Sequence, residues 1–142
     1  MSQLSRFMKN SKAVRENTTY IPTKSFTDEN GKPLEWVIKP LTTKENDELK
    51  DRWTKDVPVL GKPNQYTQKL NQSKYIASLV AKSVVEPNLN SSELQDSYGV
   101  KSPEDLIREM IDNPGEYADF VEFITKYNGF TDINDDIKEA KN

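Results

Sequence analysis

Apolar side chains in this chain recur first at a period of two and later at a period near 3.6, and that change predicts a strand-forming front and a helical back. An opening group, Leu4, Phe7 and Met8, has the spacing of one helical face and predicts a short helix or an arm over residues 1–17. From Thr18 the pattern alternates: Tyr20 and Phe26 stand either side of Pro22 and Lys24, and Leu34, Trp36 and Ile38 are separated by Glu35 and Val37. Alternation of this kind marks strands with one buried face. Asp28-Glu29-Asn30-Gly31 lies between the two runs and supplies a turn, because Asn and Gly accept the positive φ of tight hairpins. Pro22 suits an edge strand, since it has no N–H to give to a ladder.

Pro40 closes the second strand, and Thr42-x-x-Glu45 has the spacing of a capping box, which predicts a helix from about Thr43 to Trp53. Leu49 and Trp53 are its i,i+4 apolar pair. Residues 54–70 place Val57–Leu60 and Gln65–Leu70 around Gly61-Lys62-Pro63-Asn64, a pattern that fits either a second hairpin or a long polar loop. Beyond Asn71 the period becomes helical. Tyr75, Ile76, Leu79, Val80 and Val84 share one face of a helix that Pro87 ends. A short helix over Ser92–Ser97 stops at Gly99. Ser102-Pro103-Glu104-Asp105 then offers an N-cap, a proline at the first helical position and acids in the first turn, followed by the apolar face Leu106, Ile107, Met110 and Ile111. The last helix starts near Pro114 and ends at Asn128, with Gly129 as a left-handed cap and Phe130 folding back towards Ile124. Tyr117, Phe120, Val121, Ile124 and Tyr127 form its stripe, and Phe123 lies beside it as an exposed anchor.

These elements predict an α+β fold, with an N-terminal β-hairpin region packed on a mainly helical C-terminal half as one domain over residues 18–131. Residues 132–142 read as a disordered acidic tail. There is neither an internal repeat nor a heptad pattern.

Composition limits the core. Of 142 residues, 34% are hydrophobic and 30% charged, and mean hydropathy is −0.85, so little apolar surface is available for burial. The absence of cysteine excludes disulfides and thiolate metal sites and fits a reducing compartment. No run approaches the roughly 20 apolar residues of a membrane span, and the start lacks a secretory signal, so the expectation is a soluble, cytoplasmic protein. The net charge of −3 is unevenly spread. Residues 1–24 carry five cations against one acid, residues 25–102 balance at 11 each, and residues 103–142 carry 11 acids against four cations. A basic start and an acidic finish steer contacts between protein surfaces, including contacts between copies of the chain.

Candidate chemistry is sparse. With no histidine in the chain, a Ser–His triad is excluded, and no serine–lysine motif is recognisable. Asp132-x-Asn134-x-Asp136 imitates the opening of a calcium loop but has Ile137 where glycine is required. Gly61-Lys62 lacks the rest of a phosphate-binding loop. Acid pairs such as Asp47/Asp51 neighbour Lys44, Lys50 and Arg52, as surface ion pairs do. The expectation is therefore a binding protein, with neither enzymatic activity nor a cofactor or metal. The basic arm, with Phe7 and Tyr20 nearby, carries no groove-reading motif for nucleic acid. The remaining candidates for partner contact are aromatic: Phe7 on the arm, and Phe120, Phe123 and Tyr127 on the last helix.

Lys24-Ser25-Phe26-x-Asp28-Glu29-Asn30-Gly31-x-Pro33-Leu34-Glu35-Trp36 followed by Pro40-Leu41-Thr42-Thr43-Lys44-Glu45-Asn46 resembles the XkdN-like phage tail assembly chaperones. Later blocks agree in the same order: Val57-Pro58-x-x-Gly61-Lys62-Pro63, Glu93–Val100, and Asn113-Pro114-Gly115-Glu116-Tyr117 through to Asn128-Gly129-Phe130. The resemblance covers about residues 4–131. It implies a small cytoplasmic protein of a phage, or of a prophage-like element in a Gram-positive bacterium. Such a protein binds the tape measure protein, keeps it soluble while tail tube protein polymerises around it, and is absent from the finished tail. The alternative is a structural tail component retained in the virion. The resemblance carries no residue-level binding motif.

Overall fold

The computed structural model describes residues 3–130. The chain begins with two 3-10 turns, Gln3–Phe7 and Lys9–Ser11, neither of which buries a residue. The predicted arm is thus a run of tight turns followed by extended chain. It enters β1 (Thr18–Tyr20), which pairs antiparallel with β2 (Trp36–Ile38) in the register Thr18↔Ile38, Thr19↔Val37 and Tyr20↔Trp36. Helix α1 (Thr43–Arg52) follows, then β3 (Thr54–Pro58), β4 (Tyr66–Leu70), α2 (Gln72–Ser83), β5 (Val84–Glu86), α3 (Ser92–Ser97), α4 (Pro103–Met110) and α5 (Pro114–Tyr127). The fold is α+β, as the sequence predicts.

The first hairpin is longer and looser than its alternation suggests. Its ladder ends at Tyr20 and Trp36, and farther out it is rejoined only by a bridge between Thr27 and Pro33, closed by Asp28 N–H to the Lys32 carbonyl at 2.8 Å. Leu34, expected on the buried face, is exposed. The reason lies in the intervening chain, which is drawn towards α5 instead of along the sheet. The Thr23 hydroxyl donates to one carboxylate oxygen of Glu116 at 2.8 Å, and the Lys24 N–H donates to the other at 3.0 Å.

The helix boundaries follow their caps. Thr42 and Glu45 form the full capping box, and Asn71, Ser91, Ser102 and Asn113 each accept an N–H with their side chain at the start of α2, α3, α4 and α5. At the far end of α5, Gly129 adopts φ +86°, its N–H reaches the Lys126 carbonyl and the Phe130 N–H reaches that of Thr125. This is the paired bonding of a Schellman cap.

One element departs from expectation. Val84 was expected on α2, but the helix ends at Ser83 and residues 84–86 become β5, antiparallel to β2 on the side away from β1. Val84 and Val85 are β-branched and favour extended backbone, and the Ser83 hydroxyl bonds the Leu79 carbonyl, competing with helix continuation. The Lys39 N–H takes up the Ser83 carbonyl at 2.8 Å, which stitches the new strand to the sheet. Residues 54–70 form the second hairpin, not a loop, with Thr54 opposite Leu70 and Pro58 opposite Tyr66.

Helix α2 is central, packing on α1, α4, α5 and β5. The main core joins Trp36 and Ile38 of the sheet to Val80, Leu106, Ile107, Phe120 and Ile124, and a second cluster holds Leu41, Leu49, Tyr75 and Leu79. Asp132-x-Asn134-x-Asp136 and the acidic tail lie outside the described residues.

Candidate functional site

The four aromatic residues singled out in the sequence do not form one surface. Phe120 is 0% exposed, meets Trp36 edge-on at 6.1 Å between ring centroids, and presents nothing to a partner. It is a core residue, placed there because its position on α5 faces the sheet. Phe123, expected as an exposed anchor, is half-buried in a column of rings. It stacks on Tyr20 at 4.1 Å on one side and on Tyr127 at 5.9 Å on the other, both nearly parallel. The Tyr127 hydroxyl donates to the Glu16 carbonyl. The column therefore fastens β1 and the chain leading into it onto α5, and such stacked pairs each add about 0.5–1.5 kcal/mol beyond area burial. Burial, with Asp119 and then Glu122 nearby, raises the Tyr20 pKa and keeps its phenol neutral.

Phe7 is the exception: it is 81% exposed. Leu4, Met8 and Val14 on the same arm are exposed as well. The arm is nevertheless not detached from the domain. Arg15 donates through Nη2 to the Leu41 carbonyl at 2.6 Å, and the bond from Tyr127 to Glu16 holds the next residue.

The second concentration of exposed apolar side chains is at the β3–β4 hairpin, which touches the domain through α1. Leu60 at its tip is 100% exposed and Tyr66 is 64% exposed. Gly61 at φ +76° and Asn64 at φ 65° build the turn between them. The Trp53 carbonyl accepts the Asn71 N–H at 2.8 Å and closes the hairpin base. Neither Leu60 nor Tyr66 belongs to an apolar stripe in the sequence, although a leucine directly before Gly-Lys-Pro-Asn marks a turn tip that cannot reach a core.

Among the described residues no group of three or more acidic side chains is arranged to hold a metal ion. No described helix is long and apolar enough to cross a membrane. The surface chemistry is that of side chains able to dock: separated apolar anchors on two appendages, set in a charged background.

Residues 4–141 match the family described as phage XkdN-like tail assembly chaperone protein. The chain is 29% identical to the phage-like element PBSX protein XkdN of Bacillus subtilis over 140 residues, covering 98% of this chain and 93% of the relative. It is 28% identical to the uncharacterised protein YqbN of the same organism, covering 96% and 91%. A crystal structure of YqbN superposes with a TM-score of 0.74 at 23% identity, spanning 92% of this chain and 98% of the other, so the two share a fold.

Proposed function

The chain belongs to the phage XkdN-like tail assembly chaperone family, and from that premise we propose that it binds the tape measure protein and holds it soluble while tail tube protein assembles around it. It acts in the host cytoplasm by reversible binding, without a reaction centre or cofactor. The observation that carries this reading is the separation of anchors from core: Phe7, Leu60 and Tyr66 are exposed on appendages, while the domain is closed by Phe120, Ile107 and Trp36.

That separation suits a holding role. A chaperone for a long client needs apolar contacts that form and release without disturbing its own fold, and a charged exterior that keeps the complex in solution. Co-expression with the tape measure protein tests it. Soluble client that co-purifies with this chain is the expected result, and insoluble client with no co-purification refutes it. Detection of this chain in purified mature tails would instead favour a structural component kept in the virion.

A further inference from the structure

Where the arm lies against the domain, two adjoining hollows of about 580 and 300 Å³ share Lys12, Arg15 and Thr42 in their walls. Lys44 completes the cations of the first, and Lys9 those of the second. Among the described residues no acid lines either one, and none of these four cations has an ion-pair partner. Two acids adjoin these cations in sequence: Glu45, next to Lys44, is already engaged by Lys39 at 3.7 Å and Lys82 at 3.9 Å, and Glu16, next to Arg15, is exposed and lines neither hollow.

Two further features make the trough selective. Thr43 and Lys44 open α1 and line the larger hollow, and their backbone N–H groups have no acceptor among the described residues, so the positive end of a ten-residue helix adds to the side-chain charge. The larger hollow also has apolar lining residues, buried Leu41 and Leu79 and half-buried Phe130. A free phosphate would use the charge but leave these apolar side chains idle.

We propose that this trough takes an acidic peptide segment of the protein that the chain holds, with carboxylates on Lys12, Arg15, Lys44 and the start of α1, and an apolar side chain on Phe130. That the held protein is the tape measure client rests on the reading above. Because Lys9, Lys12 and Arg15 belong to the arm, an occupant would also clamp the arm to the domain.

The test uses the full chain and a fluorescein-labelled dodecapeptide of Asp, Glu and Leu, with a Lys/Leu peptide as control and anisotropy as readout. The acidic peptide should bind selectively and weaken as salt rises, because the contacts are largely solvent-facing. Lys12→Glu and Lys44→Glu should each weaken it about tenfold with no loss of thermal stability, since Lys12 is exposed on the arm and an acid at position 44, in the first turn of α1, is favourable. Equal binding of both peptides, or unchanged affinity in both variants, overturns the proposal. So does preference for oligothymidine over the peptide, and so does peptide binding seen only after residues 131–142 are removed, which would give the trough to the chain's own C-terminal segment. If the client still co-purifies with the doubly reversed chain, the trough assignment falls and client holding stands. If the acidic peptide binds as expected but no client is retained, the trough stands and the client reading falls.

Discussion

Arg52, at the end of α1, lies 2.9 Å from the carboxylate of Glu104, which is buried at the first turn of α4. The same carboxylate accepts the Ser78 hydroxyl at 3.2 Å, and Ser78 in turn accepts the Trp53 indole N–H at 2.7 Å. The Arg52 guanidinium also stands 4.8 Å from the centre of the Trp53 ring. Three helices are thereby tied through one buried acid. Arg52→Ala should cost about 1–3 kcal/mol in urea unfolding, the guanidinium being half exposed and the stranded carboxylate enclosed. The loss should shrink markedly in a Glu104→Gln background, which removes the charge. Equal losses in both backgrounds would show that the two residues are not coupled.

Core and docking aromatics should separate cleanly in stability measurements. Phe120→Ala should destabilise by about 3–5 kcal/mol, as expected for an enclosed ring. Phe7→Ser should change unfolding free energy by no more than about 0.5 kcal/mol while reducing client co-purification. If Phe7→Ser retains the client in full, Phe7 is not an anchor.

Acid sensitivity follows from two carboxylates. Burial alone would raise the Glu45 pKa, but the Thr42 N–H, Lys39, the Thr42 hydroxyl and Lys82 together outweigh it and hold the group below its ordinary value. Asp105 is lowered first by its hydrogen bond from Lys74 at 3.2 Å and then by Ser102, against a smaller opposing effect of burial, with Arg108 and the Lys74 charge adding to the lowering. A depressed folded pKa stabilises the fold above the unfolded value. Stability should therefore be level near neutrality and decline as pH drops below the ordinary carboxylate range of about 4. Lys74→Met should flatten the acid limb measured by circular dichroism. An unchanged slope would remove Asp105 from the account.

Gly129→Ala should cost about 1–2 kcal/mol, the usual penalty for an L-residue in the left-handed region. Among the described residues its Cβ would meet nothing within 4 Å, so the loss is conformational and not steric. Gly129→Asn should recover part of it in the same thermal melts.

The parts legible in the sequence were those set by local chemistry. Thr42 with Glu45, Ser102 with Pro103, and Asn128-Gly129 mark helix ends through bonds to backbone a few residues away, and all three appear as expected. Strand β5 was hidden because Val84 satisfies a helical period, and the pairing of Val84 and Glu86 with β2 depends on a strand more than 40 residues earlier. Phe123 reads in the sequence as lying beside the stripe, whereas in the fold it is half-buried like Tyr117, Val121 and Tyr127, because the hairpin brings Tyr20 to it. The basic trough was legible only as an excess of cations near the start, because its lining comes from residues 9–15, 40–46, 79 and 128–130.

The second hairpin has its own consequence for how such a chain can change. Between Lys55 and Lys69 it contributes no side chain to either core cluster, and an isolated two-stranded ribbon adds little independent stability. If Leu60 and Tyr66 contact a held protein, as proposed above, substitutions there would be filtered by that contact and scarcely by whether the chain folds. Descendants of this chain could drift to new clients through these positions while the remainder of the domain stays under unrelated selection.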